Sequence, residues 1–309
     1  MVNWRRRIPE TNLQHDRAND ADARPSASRS GTAALMAVGS MISVQLGAAL
    51  AQPTMHDYGP FATTWGRLVW AALLLCVVVR PDFRRYHGKE ILAALALGAA
   101  IAMMTLSFFV AITRVPLGLV VAIEFLGPLG VAALGFARSW RLVWLLLAFA
   151  GVLLLVRNRE GWSVDLAGFG FALVAAVGWG AYILLSKRIG QSFRGLEGLA
   201  ISLVAAALIA TPFGVYETRL HITHFNLPGG LMVQTFGLAI LTPLLPYALE
   251  MMALRRLPSA TFGVLMSAEP GIGALAGYLI LQQPLSLQQM AGILFVICAS
   301  VGAVVSTRE

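Results

Sequence analysis

The chain has 309 residues, of which 58% are hydrophobic and only 12% charged, and its mean hydropathy is +0.74. A soluble domain carries about 25% charged residues, so this composition excludes an ordinary water-facing enzyme or binding module and points to a bilayer. The net charge of +8 would suit nucleic acid. However, the basic residues lie between apolar runs, with no basic helix or aromatic–basic interleaving, so they read as topogenic charge and no nucleic-acid partner is expected.

In chain order, residues 1–31 come first. Six arginines, four acids and scattered Pro, Ser and Asn leave nothing to bury in this stretch, which reads as a disordered cytoplasmic tail. Ten apolar stretches follow, at 32–51, 62–79, 91–112, 116–136, 140–156, 166–186, 198–216, 230–253, 259–280 and 287–306. Each is about 17–24 residues, the length that crosses ~30 Å of hydrocarbon at ~1.5 Å per residue. Short loops make consecutive helices antiparallel neighbours. The first stretch contains Ala49-Leu50-Ala51 before Gln52, which resembles a signal-peptidase site downstream of Arg5-Arg6-Arg7. The run is longer than a cleavable apolar region and the basic cluster lies far upstream of it, so an uncleaved first helix is expected.

Cys76 and Cys298 fall inside apolar runs and suggest neither a disulfide framework nor a metal site. The histidines (His15, His56, His87, His221, His224) fall in the tail or in loops. His221-x-x-His224 has helical spacing for a metal pair but no third ligand in view, so no metal is expected.

Charge sets the orientation. With the N-terminus inside, the cytoplasmic segments hold 18 Lys and Arg, while the outer loops hold only Arg114, Arg157, Arg159 and Arg219. That bias predicts both termini in the cytoplasm and an even number of crossings.

The two halves resemble each other. Ala111-Ile-Thr-Arg114-Val-Pro116 recurs as Ala253-Leu-Arg-Arg256-Leu-Pro258, and Pro128 recurs as Pro270, all at an offset of 142 residues. Five helices per half is an odd number, so the second copy enters from the opposite side. The expected fold is all-α membrane, ten transmembrane helices as two inverted five-helix repeats (32–156 and 157–309).

An ionisable group inside a bilayer costs several kcal/mol and needs a reason. Arg67, Glu124, Glu250 and Glu269 are such groups. Glu124 follows Pro116 by eight residues and Glu269 follows Pro258 by eleven, which places both near mid-depth from opposite sides. Pro128 deprives the Glu124 carbonyl of its helical donor, and Pro270 does the same for Met266. Both glutamates read either as a binding surface or as helix-locking partners of an arginine. Arg67 lies at a depth where it could meet Glu124. Glu250 sits toward the cytoplasmic end of its helix, near Arg255 and Arg256, where a carboxylate snorkels or pairs. Pro243 and Pro246 interrupt the helix just before it and Tyr247 is adjacent, so a gate or site role stays open there. Trp179 and Tyr182 read as packing and Lys187 as an interfacial anchor. Motifs for nucleotide binding, metal hydrolysis and nucleophilic catalysis are missing from the sequence, so neither enzyme activity nor a cofactor is expected. Pumping would then draw on an ion gradient, and buried glutamates suit protons.

The segment Val115-Pro-Leu-Gly-Leu-Val-Val-Ala-Ile-Glu124-Phe-Leu-Gly-Pro128 resembles bacterial threonine and homoserine exporters of the EamA group, in the drug/metabolite transporter superfamily. So does Leu245-Pro-Tyr-Ala-Leu-Glu250-Met-Met-Ala-Leu-Arg-Arg-Leu-Pro258, continuing through Thr261-Phe-Gly263 to Met266-Ser-Ala-Glu269-Pro270. The resemblance runs from about residue 32 to the C-terminus; the tail is longer than that family leads one to expect. It implies a ten-helix inverted-repeat fold with a central cavity in the bacterial inner membrane. It also implies efflux of a small zwitterionic amino acid in exchange for protons, with Glu124, Glu250 and Glu269 at motif positions. Oligomeric state is left open, with room for a homodimer. The rival readings are a passive metabolite channel or facilitator, and an exporter of a different small metabolite or drug.

Overall fold

A computed structural model describes residues 27–134, 142–158, 161–162, 165–221, 228–254, 256–257 and 259–306. The tail 1–26, His224, Arg255 and Pro258 lie outside the described residues.

The first helix, α1 (Ala27–Tyr58), is longer than expected and runs unbroken through Ala49-Leu50-Ala51 and across Pro53. Its end is set by Gly59, whose φ of 88° with ψ of 160° lies in a region essentially reserved for glycine. Pro60 then opens α2 (Pro60–Val79), where a proline's missing N–H costs nothing. A cross-helix contact completes this turn, because the Glu217 carboxylate accepts the Ala62 N–H at 2.8 Å and caps α2 from a distant helix. A Cβ on Gly59 would collide with that carboxylate. Gly59→Ala is therefore expected to cost about 1–3 kcal/mol in backbone strain alone, read as a fall in melting temperature. Adding Glu217→Ala should relieve the collision but not the strain.

After a short 3-10 turn at Phe83–Arg85, α3 (Gly88–Ile112) begins with Glu90 accepting the His87 N–H at 2.8 Å. The fourth crossing is two pieces, α4 (Leu117–Glu124) and α5 (Leu126–Leu134). The fifth is α6 (Leu142–Val156). A two-residue antiparallel pairing of Arg157–Asn158 with Gly161–Trp162 follows. Next come α7 (Leu166–Ser192), with Asp165 accepting the Ala167 N–H as its cap, and α8 (Glu197–His221). The Arg114 guanidinium donates to Asp165 at 3.0 Å and holds this carboxyl below the usual carboxylate range.

The eighth crossing is α9 (Pro228–Ala239), a π turn at Ile240–Leu244 and α10 (Leu245–Leu254). The ninth is α11 (Ser259–Met266) and α12 (Glu269–Leu281), and the tenth is α13 (Leu287–Ser306). Among the described residues, eight helical spans are long and apolar enough to cross a membrane, and two shorter apolar helices at Leu117–Val131 and Val143–Leu155 bring the number to ten. His56 and His221 were expected in loops but sit in the last turns of α1 and α8, because both helices overrun their apolar stretches.

Packing is that of a membrane bundle. Alanine dominates the buried faces. Several glycines let helices approach to backbone distance: a Cβ on Gly118 would lie 2.5 Å from the Ala274 Cα. Large apolar side chains such as Leu35, Val78 and Leu287 point outward instead. That inversion suits a lipid surround, where outward leucines cost nothing.

Candidate functional site

Among the described residues, three of the ten crossings are interrupted, and each interruption follows from a proline. Pro128 cannot donate to the Glu124 carbonyl, and α4 ends at Glu124. Pro270 stands at the first turn of α12, directly after the Ser267–Ala268 gap. Pro246 cannot donate to Thr242, whose φ of −150° and ψ of 114° are extended inside an otherwise helical run that also contains Pro243.

A cavity of about 510 Å³ lies among these interruptions, within the size range of small-molecule sites. Glu124, Glu250, Glu269, Arg67, Tyr247, Pro128 and Pro246 all line it. Pro270 does not line it and is buried within α12.

The charged groups are not paired with one another. Among the described residues no carboxylate lies within ion-pair distance of Arg67. Arg67 instead donates from Nη1 to the Thr242 hydroxyl at 2.7 Å, and its guanidinium sits 4.0 Å above the Phe109 ring. The Arg67–Glu124 meeting considered from the sequence is thus replaced by neutral partners. Glu269 accepts from the Gln45 amide at 3.2 Å, while its Oε2 and the Gln45 Oε1 are buried without a partner. Glu250 accepts from the Ser40 hydroxyl at 2.6 Å. It lines the cavity, while Arg256 reaches the Met36 sulfur. When ionised, three carboxylates face one guanidinium, so the lining carries a negative excess suited to a cationic group.

Sequence reasoning missed Gln45, Thr242, Phe109 and Ser40, and it read Trp179 and Tyr182 as packing. Both aromatics line the cavity, Trp179 edge-on to Phe125 at 5.3 Å and Tyr182 stacked on Tyr247 at 6.1 Å. An amide inside an apolar run was the signal available for Gln45. Of the histidine pair, His221 bonds the Glu217 carbonyl at 2.9 Å and His224 lies outside the described residues, among which no cluster of three metal-ligating side chains occurs.

Much of the lining lies toward the end of the bundle that carries Val79 and Gly88, through Ser186, Glu250, Phe262, Gly263, Ala303 and Val304. The opposite end, at Tyr58, is tied by polar contacts between helices. Gln52 donates to the Ile112 carbonyl at 3.0 Å, and the Leu117 N–H donates to the Gln283 side chain at 3.0 Å.

The profile described as the EamA-like transporter family matches residues 166–305. The threonine/homoserine exporter RhtA of Escherichia coli (strain K12) is 37% identical over 271 residues, 87% of this chain and 90% of that protein. The chain belongs to the EamA-like transporter family. The RhtA exporter of Salmonella typhimurium (strain LT2) is 36% identical over the same shares. A crystal structure described only as that of a protein has a TM-score of 0.60 at 16% identity, covering 90% of this chain and 98% of that one. That likeness carries the fold. EamA-like membership makes this a multi-pass membrane protein, and the relatives just described bear the names of exporters.

Proposed function

We propose that the protein is an inner-membrane exporter of small neutral amino acids such as threonine or homoserine, driven by proton antiport through alternating access. The observation that carries this reading is the single cavity in which Glu124, Glu250, Glu269 and Arg67 meet without pairing. A zwitterion supplies what the lining lacks: its ammonium answers a carboxylate such as Glu124, and its carboxylate answers Arg67 or backbone donors. Proton uptake on Glu124 or Glu269 weakens the ammonium contact and favours release. The names of the relatives, threonine/homoserine exporters, agree with that chemistry.

Two inverted five-helix repeats, with both termini cytoplasmic, supply the alternation. Helix packing supports them. The third crossing packs on the sixth as the eighth packs on the first; the fourth packs on the sixth as the ninth packs on the first. The second and seventh, the fourth and ninth, and the fifth and tenth pair across the halves. The interruption after Glu124 and the one after Met266 are also related by the 142-residue offset of the sequence repeat. In this orientation the tied Tyr58 end is periplasmic, and the cavity extends toward the cytoplasm, ready to load.

The test uses everted membrane vesicles with an imposed proton gradient and labelled threonine, homoserine and other amino acids. Uptake that collapses on adding a protonophore is expected. Flux indifferent to the protonophore would identify a passive facilitator instead.

A further inference from the structure

Arg67 is only 4% exposed. A guanidinium this deep needs a counter-charge or strong hydrogen bonding, because burying an unpaired charge is severely unfavourable. No described carboxylate supplies the counter-charge, and Nε has no hydrogen-bond partner among the described residues. What surrounds the group is neutral: the Thr242 hydroxyl at 2.7 Å and the Phe109 ring face at 4.0 Å. We infer that Thr242 and Phe109 are positioning residues, which hold the Arg67 guanidinium free of any protein carboxylate so that it receives the carboxylate of the transported molecule. This deepens the exporter reading and rests on it.

The polarity of the Thr242 hydroxyl is fixed by its neighbours. Its proton goes to the Leu238 carbonyl at 3.2 Å, so toward Arg67 the oxygen can only accept. The hydroxyl reaches Arg67 from the extended turn that interrupts the eighth crossing. Space for it is made on α1, where a Cβ on Gly47 would lie 2.8 Å from the Thr242 methyl. Phe109 comes from α3 and is 2% exposed, so its ring has no freedom to swing away. Two helices and one interruption thus orient a cation without neutralising it. An aspartate at 242 would hold the guanidinium more firmly but cancel the charge that a carboxylate ligand seeks.

The experiment compares L-threonine with L-threoninamide, which replaces the carboxylate by a neutral amide of similar shape. Purified full-length protein in proteoliposomes is assayed for the concentration of each that halves counterflow of labelled threonine. The wild type should favour the acid at least about tenfold, the worth of one hydrogen bond to a charged group. Thr242→Val should weaken the acid about tenfold, and Phe109→Leu about three- to tenfold, with the amide unchanged in both. Thr242→Ser, which keeps the hydroxyl, should restore the preference. If acid and amide weaken together, the two residues serve packing and the inference is overturned; it is equally overturned if the preference survives both substitutions. If the wild type carries no threonine, the exporter reading itself fails, and the inference falls with it.

Discussion

Glu124→Gln is expected to lower threonine efflux by about ten- to a hundredfold while leaving the amount of protein in the membrane unchanged. The substitution keeps size and shape and removes only the charge. Glu124 is 8% exposed, lines the cavity and has no ion-pair partner among the described residues, so nothing in the fold relies on its charge. Neutralising it even spares the protein a buried anion. In the proposed mechanism the loss falls on the bound ammonium, since a hydrogen bond to a charged group is worth about 1.5–3 kcal/mol. Counterflow in proteoliposomes, with growth on toxic threonine as the cellular readout, checks the outcome. Unchanged efflux would remove Glu124 from the mechanism.

Gly118→Val should produce the opposite pattern, a loss of folded protein. The substituted Cβ would lie 2.5 Å from the Ala274 Cα and 3.0 Å from its nitrogen. These are backbone atoms of α12, so no rotamer change relieves the overlap and the two helices must separate. Overpacking of this kind costs about 1–3 kcal/mol, occasionally more. A fall in melting temperature and in detergent-extracted yield is the readout, with partial recovery on adding Ala274→Gly. Gly130→Ala is the control, since a Cβ there meets nothing within 4 Å. A stable Gly118→Val variant would show that α4 and α12 do not pack this closely.

The ten crossings were legible because each apolar run has the length of a bilayer and punctuation at its ends. The end of α1 was less legible: the apolar stretch ends at residue 51, yet the helix runs across Pro53 to Tyr58 and is closed by Gly59. In a bundle, neighbouring groups can satisfy what a proline frees. The cavity's charged residues were visible as ionisable groups in apolar runs. Their partners were not. Gln45, Ser40 and Thr242 are uncharged and common enough in membrane helices to pass as packing. The bonds that matter join Gln45 to Glu269 and Arg67 to Thr242, residues far apart in the chain. Such pairings become visible only when the halves are brought together. Glu250 shows the same gap: of the two basic residues that sequence proximity suggested, Arg255 lies outside the described residues and Arg256 reaches Met36, whereas Ser40 donates to the carboxylate.

The three interrupted crossings carry one more consequence. A soluble domain is firmest in its middle and frays at its rim. Here the Tyr58 end is clasped by a cap and cross-helix hydrogen bonds, while the missing backbone bonds gather around the cavity, near Phe125, Thr242 and Ser267. The bundle is thus clasped at that margin and interrupted at its centre. A molecule seated in that cavity rests on the parts of the chain that yield most easily, and its arrival can be felt as mechanical compliance in three helices at once.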